Sequence, residues 1–97
     1  MQELDHFMPT VHLLIKGKVQ GVSYRFSASQ IAERLSLTGW VKNTAEGHVE
    51  AMATGNEEAL QQFITWCKKG PPGAKVTEVL VNPAGETPFK GFSITRG

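Results

Sequence analysis

The chain has 97 residues, 40% of them hydrophobic and 20% charged, the composition of one soluble globular domain with a single two-layer core and no second domain behind it. Any site on so small a body is shallow and built from few parts. Ten basic against nine acidic side chains leave a formal charge of +1, which excludes a strong global field drawing the protein onto nucleic acid or a membrane.

In chain order, "MQELDHFMPT" has neither the basic start nor the apolar centre of a secretory signal, and no apolar run of membrane-spanning length follows. Residues 1 to 9 are expected to be a flexible tail, with a single domain over 10 to 97. "VHLLIKG" places Val11, Leu13 and Ile15 on one face and His12 and Lys16 on the other, a strand alternation interrupted by Leu14. The rhythm then changes. Tyr24, Ala28, Ile31, Ala32 and Leu35 form the apolar stripe of an amphipathic helix, with Ser23 in the N-cap position. "GWVKN" reads as a strand, "TAEG" as a turn and "HVEAMATG" as the returning strand of a hairpin. Asn56 opens a second helix, with Glu57 and Glu58 in its first turn, Leu60, Phe63, Ile64 and Cys67 as its buried stripe, and Lys68, Lys69 and Gly70 at its end. "GPPG" is a rigid loop, "KVTEVLVN" a fourth strand and "GFSITR" a short fifth, with Phe92 and Ile94 read as core.

This order, βαββαβ with a final strand, predicts an α+β ferredoxin-like sandwich in which two helices cover one face of a mostly antiparallel sheet. Such a fold hosts enzymes, regulatory modules and RNA binders, so the function has to come from side chains.

The stretch "KGKVQGVSYR" is the first that calls for an explanation. A strand ending near Gly17, a loop containing Gly21 and a helix starting near Ser23 leave free backbone N–H groups at the junction, which is a seat for an anion. Arg25 in the first helical turn opposes the helix dipole, unless an anion lies between its guanidinium and those amides. A dianionic phosphoryl group fits that demand. Spacing alone equally permits Gly17 and Gly21 to shape a turn and Arg25 to be a solvated side chain. A Walker loop is excluded, because Gly21 is followed by Val22 and Ser23 rather than by lysine and a hydroxyl residue.

The segments "GKVQGVSYR", "AERLSLTGWVKN", "EGHVE", "GPPGAKV" and "FSI" occur in the order and spacing of an acylphosphatase, and from about residue 11 to 96 the chain resembles that family. The resemblance implies hydrolysis of acyl phosphates to a carboxylate and orthophosphate. It implies that the phosphoryl group is bound by Arg25 and by the loop of Gly17, Lys18, Val19, Gln20, Gly21, Val22 and Ser23, and that Asn43 positions the attacking water. Inorganic phosphate or sulfate is then expected to occupy the same place. On its own, Asn43 is also an ordinary strand-end asparagine that caps local backbone. The family's usual glycine after the first helix is Ser36 here, a cost to stability if that position is left-handed. Glu46 replaces a more usual aspartate.

Chemistry accounts for the groups that are missing. His6, His12 and His48 are scattered and read as surface or edge residues, so no metal site is expected. No serine, histidine and acid set can be named, and Cys67, the single cysteine, falls on the core side of its helix. It cannot form an internal disulfide, which fits a reducing cytoplasm. An acyl phosphate releases a carboxylate whose conjugate acid has a pKa of about 4, so the leaving group needs no proton. Phosphoryl transfer to water can then rest on positioning and charge stabilisation, with no cofactor. The resemblance further implies that the substrate's own phosphoryl oxygen accepts the water's proton.

Trp40 and Tyr24 are expected to pack at the edge of the site. Lys18 and Lys42 stand where they could draw anions, although exposed lysines at strand ends are usually only solvated. "KGFSIT" at Lys90 to Thr95 matches the start of an RNA-recognition aromatic signature. It lacks the further aromatics and lies on the last strand, so no nucleic-acid partner is expected. A cradle that senses anions without turning them over is the other rival, opposed by the pairing of Arg25 with Asn43. Acylphosphatase-like domains also occur within larger maturation enzymes, whereas this sequence stops with the domain. The expected protein is a stand-alone monomer.

Overall fold

The computed structural model of the chain describes residues 8–85 and 89–95. The alternation of the first segment produces β1 (Thr10–Lys18), in which Leu13 and Ile15 are fully buried. Leu14 breaks the pattern because both faces of this strand are partly covered: it points away from the helices and lies in register with Leu80 of the neighbouring strand. The remaining elements are α1 (Tyr24–Arg34), β2 (Thr38–Asn43), β3 (Val49–Thr54), α2 (Glu57–Lys69), β4 (Lys75–Ala84) and β5 (Phe92–Ile94). The sheet order is β4-β1-β3-β2-β5. Every pairing is antiparallel except β2 with β5. Because β1 and β2 are both antiparallel to β3, they end at the same edge of the molecule. This is the expected ferredoxin-like sandwich, and β4 tolerates Pro83 because it is an edge strand.

Leu13, Ile15, Val41, Val49 and Ala51 from the sheet meet Ala28, Ala32, Phe63 and Cys67 from the helices, all at 1% exposure or less. Full burial of each large member stabilises the fold by roughly 1.5–3 kcal/mol. The alanines of α1 let that helix lie close to the sheet. Phe63 of α2 meets Phe92 of β5 edge-on, with ring centroids 5.9 Å apart.

Three expectations need correction or extension. Ile94 is not core: it is 43% exposed, whereas Phe92 on the same face is 8% exposed. The helical layer ends above it, since α1 starts at Tyr24, and Ile94 instead walls a hollow at the helix start. Trp40 is not at the site edge. Strand alternation puts it on the helix-free face, opposite Val41, where the Lys42 ammonium lies 5.3 Å from its ring centroid. Ser36 is left-handed, at φ 59°, and closes α1 in a Schellman arrangement in which Ser36 N–H donates to the Glu33 carbonyl and Leu37 N–H to the Ala32 carbonyl, at 3.0 and 2.9 Å.

Of the expected tail at 1 to 9, residues 1–7 lie outside the described residues. Pro9 is already joined to the domain, its carbonyl accepting from Gly55 N–H at 3.2 Å.

Candidate active site

The loop after β1 is held at three points. Its base is a bulge between Lys16 and Gly17, where Gly17 has φ 125° and any Cβ would collide with the Lys75 carbonyl oxygen. Only glycine fits there. Val19 is then drawn into the core at 1% exposure. Gln20 follows, its side-chain amide donating to the carbonyls of Thr44 at 3.1 Å and His48 at 2.8 Å. These two bonds lash the loop to the β2–β3 turn, which closes on itself through Thr44 and His48.

Gly21 has φ 76°, and Ser23, the residue before α1, takes φ 61° and ψ 27°. The expectation of a side-chain N-cap at Ser23 is therefore corrected: its hydroxyl makes no capping bond. A left-handed residue turns the chain into the helix, and its side chain does not bond the amides of the first turn. Those amides have no intrahelical partners.

Arg25 lies half-exposed in that first turn and, among the described residues, has no carboxylate partner. With Val19, Gly21, Ser23, Phe26 and Ile94 it lines a hollow of about 390 Å³, near the lower end of the roughly 300–1,000 Å³ range of small-molecule sites. The other predicted loop residues, Gly17, Lys18, Gln20 and Val22, do not line it. A larger groove of about 470 Å³ runs beside Arg34, Trp66 and Lys69. It lies along α1, beside the C-terminal end of α2 and the loop that follows it, and the carbonyl end of α2 disfavours an anion.

Asn43 does not line the hollow. It ends β2 at the same edge of the sheet, on the face of Val41, and its Oδ1 is buried with no hydrogen-bond partner among the described residues. One residue further on, the Thr44 carbonyl accepts one of the two Gln20 bonds, so Asn43 adjoins the point where the loop is tethered. An orphaned buried acceptor costs about 1–3 kcal/mol unless a water or ligand supplies a donor.

Tyr24 packs at the edge of the hollow, as expected, and pins its inner wall to the core. Its hydroxyl donates to the Cys67 carbonyl at 2.7 Å and its ring packs on Trp66 at 5.3 Å. Burial pushes its phenol well above the ordinary range. The Cys67 thiol is likewise pushed up to about 12 by burial, which keeps it protonated and unreactive at neutral pH. His12 is tied to Glu50 at 2.7 Å, and Lys42 lies 3.8 Å from the same carboxylate, on the helix-free face away from Arg25. Among the described residues no three His, Cys, Asp or Glu side chains are grouped to hold a metal ion, and no helix is long and apolar enough to cross a membrane. The segment resembling an RNA signature forms edge strand β5, and Phe92 is turned inward with no free face for stacking.

Sequence reasoning missed Gln20 as a side-chain tether and Phe26 and Ile94 as walls. Phe26 carried a signal, being a large aromatic residue off the apolar stripe and next to Arg25.

Fold and site together define a small α+β protein with an uncapped helix start and an arginine-lined hollow at its first strand-to-helix crossover. The acylphosphatase family model matches residues 11–94. An acylphosphatase of Methylococcus capsulatus is 44% identical over 90 residues, covering 92% of this chain and 98% of its relative. Among solved structures, an acylphosphatase from Coxiella burnetii superposes with a TM-score of 0.91 at 35% identity, covering 98% of this chain and 100% of the other. One from Bacillus subtilis gives 0.87 at 37% identity, covering 92% and 99%. The chain belongs to the acylphosphatase family, and it is an enzyme with acylphosphatase activity.

Proposed function

We propose that the loop and Arg25 bind the phosphoryl group of an acyl phosphate and that Asn43 holds the attacking water. The observation that carries this reading is the start of α1: an uncapped helix N-terminus with an arginine that has no carboxylate partner among the described residues. Both oddities are relieved by one dianion. Loop amides from Gly17 to Ser23 and the Arg25 guanidinium neutralise the charge on the equatorial oxygens as it grows in the transition state. The Asn43 amide can accept from one water and orient its lone pair toward phosphorus. The water's oxygen forms a bond to phosphorus, the bond from phosphorus to the acyl oxygen breaks, and that electron pair leaves on the carboxylate. A phosphoryl oxygen takes the water's proton, giving orthophosphate. No protein base or acid is required, and the leaving group needs no metal to stabilise it.

Inorganic phosphate or sulfate fits the same cradle. Cys67, buried and the single cysteine, suits a reducing cytoplasm, and the monomer is the working state of so small a domain. Turnover of benzoyl phosphate and p-nitrophenyl phosphate, each with and without a chelator, tests the reading. Rapid, chelator-insensitive hydrolysis of benzoyl phosphate with negligible action on the aryl monoester is expected. Equal rates on both, or loss of activity with chelator, would overturn it.

A further inference from the structure

Among the described residues five large hydrophobic side chains are exposed, and two of them, Phe26 at 57% and Ile94 at 43%, wall the hollow that holds Arg25. Single exposed apolar residues are ordinary. These two differ because they come from opposite ends of the chain, the first turn of α1 and the last residue of β5, and converge on one charged cradle. Phe26 is off the stripe that packs α1 on the sheet, and Ile94 projects beyond the helical layer. Neither helps fill the core.

We propose that Phe26 and Ile94 form the seat of the substrate's acyl group, so that the enzyme favours acyl phosphates carrying a bulky apolar or aromatic group over acetyl phosphate. This rests on the reading of the cradle as the phosphoryl site. The inner wall of the hollow is closed by Val19 and Tyr24, buried to 1% and 2% exposure. With the phosphoryl group against the loop amides, the rest of the substrate must leave through the mouth, where these two side chains stand. An apolar acyl group laid against them shields its own surface and theirs from water, whereas an acetyl group reaches little of it. The hollow is larger than a phosphoryl group needs.

The test measures kcat/KM for benzoyl phosphate and acetyl phosphate in the parent and in Phe26→Ser, Ile94→Ser and Phe26→Leu, with competitive inhibition by inorganic phosphate as the separate readout of the cradle. The benzoyl-to-acetyl ratio is expected to fall about tenfold in Phe26→Ser and roughly threefold in Ile94→Ser, with most of the loss restored in Phe26→Leu. Inhibition by phosphate should persist in all three. A ratio that stays at the parental value in both serine variants, with both substrates still turned over, overturns the acyl seat and leaves the phosphoryl reading intact. Absence of phosphate inhibition in the parent would instead strike the phosphoryl reading, and the seat would fall with it.

Discussion

The two helices begin in opposite ways. At α2, the Asn56 side chain accepts from Ala59 N–H at 2.8 Å, Glu57 and Glu58 occupy the first turn, and the positive end of the dipole is answered from within the chain. At α1, Ser23 is left-handed, no side chain caps, no acidic residue follows, and Arg25 adds positive charge. One start is a structural joint. The other is left unbalanced at a cost in stability, which the proposed phosphoryl ligand would cancel. On the proposed reading, the missing cap at α1 matters as much as the arginine.

The strongest way to break the contrast is Arg25→Gln, which should lower kcat/KM for benzoyl phosphate by about a thousandfold and abolish thermal stabilisation by inorganic phosphate. A variant with parental kinetics would remove Arg25 from the site. Asn43→Ala should lower kcat by about a hundredfold with KM little changed, because it removes an interaction with water and none with the phosphoryl group. A change confined to KM would assign Asn43 to binding instead. At the other helix, Asn56→Ala should cost about 1 kcal/mol in denaturant unfolding and leave KM at the parental value. A kinetic effect there would blur the division between the two helix starts. The smallest effect is expected at Ser36→Gly. Removing the Cβ from a left-handed residue should raise stability by about 0.5–1 kcal/mol, net of glycine's greater unfolded entropy. Thermal unfolding would then shift up by a few degrees, about 2–6 °C, and a fall in Tm would show that the serine side chain contributes something of its own.

Most of the fold was legible because it is locally encoded. The stripe of α2, its Asn56 cap, its terminal lysines and Gly70 lie within a few residues of one another, and each is where local rules place it. The alternation of β1 and the stripe of α1 were equally plain. Ser23 was misread because a serine before an apolar stripe usually caps, and sequence does not show that the loop from Gly17 must enter the helix through a left-handed residue. Ile94 was misread because strand alternation says which face a residue takes and not how far the layer above extends. Trp40 illustrates the reverse: its parity, opposite to that of Val41, was available in the sequence and already places it on the helix-free face. Arg25 in the first helical turn follows from its place in the sequence, and the fold sets it beside Gly21 and Ser23. The tether from Gln20 does not follow from the sequence, because its two acceptors come from a turn more than twenty residues away.

On the proposed reading, that tether gives an exposed turn a share in the chemistry. A cradle that had to be organised anew for each substrate would give up conformational entropy at every encounter. With Gln20 spanning the Thr44 and His48 carbonyls, the ordering is completed when the chain folds, and the β2–β3 turn serves as a splint whose looseness would be felt as slower turnover by a substrate it never touches.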